Sequence, residues 1–95
     1  MNDTTTEAFT NVWDALADTP QEATNLKVRS ALMSQITALV EARGWTQVEA
    51  ARRCGVTQPR LNDLLRGRLS RFSLDALVNI AAALDCRVHV GLDAA

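Results

Sequence analysis

Ninety-five residues make about one small domain, near the size at which a single core sustains itself, so pairing with a second copy would help. Apolar content is ordinary, aromatics are few and tyrosine is absent, which fits a helical chain packed mainly with Leu, Ala and Val. The net charge of −1 is uninformative as a total, and no apolar run approaches the roughly 20 residues that cross a bilayer.

Met1 to Thr10 lacks the basic and apolar regions of a secretory signal, so a cytoplasmic location is expected. Residues 1–10 are read as a flexible segment preceding one domain over 11–95. Val12, Trp13 and Leu16 fit one face of a short helix ending near Asp18, with a strand over Phe9–Trp13 as the alternative. This acidic start serves as a packing arm anchored by Trp13 or as a partner contact.

Thr19, Pro20 and Glu22 mark a helix beginning with an N-cap, a first-position proline and a third-position carboxylate. The helix runs toward Arg43, with a break near Asn25 left open. Leu26, Met33, Ile36, Leu39 and Val40 form its apolar stripe and Gly44 closes it.

The stretch Trp45–Gly67, WTQVEAARRCGVTQPRLNDLLRG, reads as two short helices joined by a tight turn. Thr46 and Glu49 form a capping box, with the Glu49 carboxylate expected to reach back to the Thr46 amide. Ala50, Ala51 and Cys54 supply a narrow apolar face, and Ala51 permits close approach of another helix. Gly55 suits a left-handed turn, Thr57 caps the second helix, and Pro59 falls in its first turn. Leu61, Leu64 and Leu65 give that helix a buried side, leaving Gln58, Arg60, Asn62 and Arg66 as hydrogen-bond donors.

Arg68–Phe72 is a basic loop whose Phe72 is expected to pack inward. Ser73 caps the next helix, with Asp75 in its first turn. Leu74, Leu77, Val78, Ile80, Ala81 and Leu84 make it apolar around much of its circumference, suiting burial on the core and on a second subunit. In Arg87–Leu92, Val88, Val90 and Leu92 alternate with His89 and Gly91, a strand signal. A lone strand needs a partner: residues 9–13, a second copy across a two-fold axis, or another protein.

Charge resolves along the chain. Residues 1–26 hold five carboxylates and no Lys or Arg, whereas residues 46–71 hold six arginines against Glu49 and Asp63, net plus four where a phosphate backbone would lie. A solvated arginine face is the competing explanation. Cys54 and Cys86 lack metal-ligand spacing and are expected reduced, and Cys86 with His89 does not complete a zinc site.

Trp45–Gly67 resembles the helix-turn-helix of the XRE/Cro-type repressors, with Gln47, Ala51, Gly55, Leu61 and Leu64 at the family's glutamine, alanine, glycine and two aliphatic positions. Over roughly residues 11–92, the flanking segments are similar to HigA-type antitoxins. The resemblance implies an all-α fold, a compact bundle of about five helices containing a lambda-repressor-like helix-turn-helix, to which the alternation at residues 87–92 adds one short C-terminal β-strand. It assigns Gln47 to phosphate and Thr57 and Gln58 to the start of the recognition helix, where the Gln58 amide matches a base-contacting position. Arg60 suits phosphate or guanine, Asn62 is a further contact, Asp63 falls at a base-reading position, and Arg66 and Arg68 look like phosphate clamps. Pro59 and Asp63 depart from the usual donors.

The expected function is a double-stranded DNA-binding regulator, antitoxin and autorepressor of a type II toxin–antitoxin pair. It would read a palindromic operator as a homodimer, with Val88, Val90 and Leu92 as dimer or partner contact. A stand-alone repressor without a toxin and an interaction module that has lost DNA binding are the alternatives. One histidine, no glycine-rich phosphate loop and no nucleophile with a recognisable base argue against an enzyme, and no cofactor, metal, membrane or small-molecule effector is expected.

Overall fold

The computed structural model describes residues 17–94. Four α-helices lie among them: α1 (Pro20–Arg43), α2 (Gln47–Cys54), α3 (Gln58–Leu65) and α4 (Leu74–Ala83), with a 3-10 turn at Leu69–Arg71 between the last two. The helix-or-strand question at residues 9–18 falls, apart from Ala17 and Asp18, outside the described residues.

Each helix starts where a hydroxyl can replace a missing carbonyl. Thr19, Thr46, Thr57 and Ser73 accept from the amides of Glu22, Glu49, Arg60 and Ala76 at 3.0, 3.2, 3.3 and 3.1 Å. A cap of this kind contributes about 1 kcal/mol, enough to set the boundary of helices as short as α2 and α3. The capping box at α2 is half made: the Glu49 carboxylate bonds Arg52 and Arg53 instead of turning back to Thr46. Two cations at i+3 and i+4 outcompete one amide.

Helix ends are equally local. At Gly55 (φ 71°) the Val56 amide bonds the Ala51 carbonyl and the Gly55 amide bonds Arg52, a Schellman closure that turns the chain toward α3. The same closure ends α4, where Cys86 N–H bonds Ala81 and Asp85 N–H bonds Ala82, but the left-handed position (φ 59°) is held by Asp85.

The helices surround a core of Met33, Ile36 and Val40 from α1, Ala50, Ala51 and Cys54 from α2, Leu61 and Leu64 from α3, Phe72, and Leu77, Ile80 and Ala81 from α4. No polar or charged residue is buried among those described. Helix α1 continues unbroken through Asn25, and Leu26 and Leu39 are only half buried, while Ala23 is buried. Helix α4 buries one side, leaving Val78 37% exposed. No helix among the described residues is long and apolar enough to cross a membrane. Cys54 is buried and Cys86 exposed, both as free thiols, and burial pushes the Cys54 thiol up.

The expected C-terminal strand is not formed. Beyond Cys86 the described residues carry no regular structure, and Val88, Val90 and Leu92 are 37%, 90% and 98% exposed. Alternation of apolar side chains marks a strand only where a sheet edge can receive its backbone groups. After the left-handed turn at Asp85 the backbone through residue 94 joins no ladder, so the described residues are all-helical. Of the five helices anticipated, four are observed among the described residues.

Candidate nucleic-acid interface

α2 and α3 pack side by side through Ala51, Cys54, Leu61 and Leu64, and the three-residue turn between them is set by the Gly55 closure and the Thr57 cap. Because Leu61 is 1% exposed and Leu64 fully buried, the rotation of α3 about its axis is determined by the core. Gln58 and Arg66 are consequently exposed at its two ends and Asn62 is partly exposed between them. Gln47 is exposed at the start of α2. Thr57 Oγ1 accepts from the Arg60 amide, which leaves its hydroxyl proton available.

Two residues assigned to readout are occupied within the protein. The Arg60 guanidinium donates to the Arg71 carbonyl at 2.7 Å and lies 4.2 Å from the centroid of the Phe72 ring. The Asp63 carboxylate accepts from Arg68 at 3.3 Å and Arg71 at 3.4 Å, with its side chain only 14% exposed. Asp63 thus gathers two arginines from the following loop beside α3, a use that a carboxylate at a base-reading position does not announce in sequence. The Arg66 guanidinium makes no hydrogen bond or ion pair among the described residues, while its backbone amide bonds the Asn62 carbonyl at 3.0 Å.

On α2, Glu49 pairs with Arg52 and Arg53, each at 2.6 Å. Hydrogen bonds from Arg52 and then Arg53 hold the Glu49 carboxyl down to about 2 from its ordinary 4.5, and Glu49 in turn raises Arg52. Arg43 and Arg53 lie over the Trp45 ring at 5.7 and 5.2 Å, so Trp45 organises cations at the entry to α2. Arg29 was absent from the sequence-based set. Its Nε donates to Asn25 Oδ1 at 2.6 Å, and one terminal nitrogen donates to the carbonyls of Leu69 at 3.3 Å and Phe72 at 3.0 Å. The two contacts to the loop span 40 and 43 positions, and no local pattern could have signalled them.

The assembly is therefore two short helices at a tight turn, the second with polar side chains outward and basic residues clustered at its C-terminal end. Such an arrangement suits a polyanion with readable edges better than it suits catalysis. No curated protein matches the chain. The helix-turn-helix domain family matches residues 15–92, and the chain belongs to that family of DNA-binding modules.

Proposed function

We propose that the protein is a sequence-specific, double-stranded DNA-binding transcriptional regulator of the cytoplasm, the antitoxin and autorepressor of a type II toxin–antitoxin pair. The observation that carries the DNA reading is α3 itself: Leu61 and Leu64 lock one side in the core while Gln58, Asn62 and Arg66 are presented on the rest. α3 enters the major groove, where the Gln58 amide pairs bidentately with adenine and Asn62 adds a further edge contact. Gln47 and the free proton of Thr57 meet phosphate, and Arg66 and Arg68 clamp the backbone downstream. Arg60 lends whatever N–H groups its bond to Arg71 leaves over, and Asp63 contributes through the arginines it holds.

One module makes few base contacts, so a homodimer on a palindrome with half-sites about 34 Å apart is the working unit. Val88, Val90 and Leu92 supply contact to the second copy or to the toxin; Val90 and Leu92, almost fully exposed, are aliphatic surface in need of cover. Similarity of the flanking segments to HigA-type antitoxins supports the toxin pairing, which co-purification of a small basic protein would test.

The decisive measurement is binding of the purified chain to its own promoter duplex, wild type against Gln58→Ala. The substitution should cost about 1–3 kcal/mol, and wild-type affinity should fall steeply with added salt. Equal binding by both proteins would refute the recognition-helix assignment, and salt-independent binding would refute the phosphate contacts.

A further inference from the structure

The loop after α3 carries Arg68 and Arg71 but has little packing of its own. Residues Leu69–Arg71 form a single 3-10 turn without a side-chain cap, and none of the three is buried. Phe72 is its one buried anchor, 1% exposed, with half-buried Leu69 packed against the same core. A segment so built ought to sample many arrangements, yet its backbone carbonyls are held from two directions. Arg60 holds the Arg71 carbonyl from α3, while Arg29 reaches from the middle of α1 to the Leu69 and Phe72 carbonyls. The Arg29 guanidinium is itself aimed by Asn25, one turn earlier on α1. Among the described residues it has no carboxylate partner, so its charge-assisted bonds go to this loop and to the asparagine that orients it.

We infer that Arg29 is a positioning residue for DNA binding: by fixing the Leu69 and Phe72 carbonyls it presents the Arg68 and Arg71 side chains beside α3 as one phosphate-binding unit. The inference rests on the DNA-binding reading above. A partly buried cation that does not touch the nucleic acid thus determines where two others can. Asp63 performs the matching task from the opposite side, drawing both side chains toward α3. Backbone and side chains of the loop are therefore registered independently, the first by guanidinium groups and the second by a carboxylate.

The test uses the full chain and a 30-base-pair duplex of arbitrary sequence, on which binding is almost wholly phosphate contact. Arg29→Met keeps the aliphatic stem and removes the donors. Lys27→Met, at an exposed neighbour on the same helix, removes the same charge and serves as control. Each phosphate contact contributes about 0.9 to the slope of log affinity against log salt, so Arg29→Met should reduce that slope by about 1 to 2 and Lys27→Met should not. In an Arg68→Ala/Arg71→Ala background, Arg29→Met should produce no further loss. Arg29→Lys should recover part of the slope. Amide exchange at Arg71 and Phe72, whose N–H groups bond Arg68 and Leu69, should accelerate in Arg29→Met. Should that variant fail to fold, Asn25→Ala removes only the outer brace and should give a smaller change in the same direction.

A purely structural role would leave the slope of the folded protein unchanged, and that result would overturn the inference while wild-type binding upheld the DNA reading. Failure of the wild type to bind duplex at low salt would overturn both.

Discussion

Replacing Arg60 by alanine separates its contribution to the fold from the DNA contact proposed for its position on α3. In the folded chain the guanidinium bonds the Arg71 carbonyl at 2.7 Å and covers a Phe72 ring that is 1% exposed. A hydrogen bond from a charged donor contributes about 1.5–3 kcal/mol, here toward the lower end because Arg60 is partly exposed. A cation stacked on an aromatic face adds about 0.5–1 kcal/mol. Together these give a loss of about 2 kcal/mol, which in a domain of this size lowers Tm by roughly 8–16 °C. Thermal unfolding followed by circular dichroism, without DNA, measures it directly. Arg60→Met should recover part of the loss, since its thioether chain still shields the ring. A melting temperature within about 2 °C of wild type for Arg60→Ala would refute the assigned contacts and return Arg60 to the category of free DNA-facing cations.

Two further expectations concern α2 and its turn. Because Glu49 is held near 2 in the folded state against an ordinary 4.5, its ion pairs stabilise the protein fully above pH 4.5, and that contribution disappears as pH falls through 2. Glu49→Gln should therefore flatten this part of the Tm-against-pH curve, and an unchanged curve would contradict the pairing. Gly55→Ala should destabilise by about 1 kcal/mol in urea unfolding through backbone strain at positive φ. Space is not the obstacle, because a Cβ there would meet Ala83 Cβ at 3.8 Å. Full tolerance of the alanine would show that the turn does not require the left-handed conformation.

What could be foreseen from sequence was whatever a few neighbouring residues decide. The four hydroxyl caps, the left-handed closures at Gly44 and Gly55, and the buried spacing of Leu61 and Leu64 are each written within a turn or two of chain. Errors arose where the outcome depends on distant partners. The alternation at Val88, Val90 and Leu92 was locally sound, but no edge among the described residues accepts it. Glu49 satisfied the capping-box spacing while Arg52 and Arg53 took its oxygens. The candidate interface divides the same way: Gln58 and Arg66 followed from helical phase, whereas the occupation of Arg60 and Asp63 and the reach of Arg29 required the folded loop.

The closure at Asp85 divides the chain by energetic role. Everything that builds the core among the described residues precedes it, and the last backbone tie belongs to Cys86. Substitutions at Val90 and Leu92, 90% and 98% exposed, thus carry little folding penalty in the single chain, so those positions are free to be shaped by whatever they touch. The same freedom does not extend to α3, where each exposed side chain shares a helical turn with a buried leucine. On the proposed reading, partner choice can therefore change at those tail positions separately from operator choice, which is confined within limits imposed by the core.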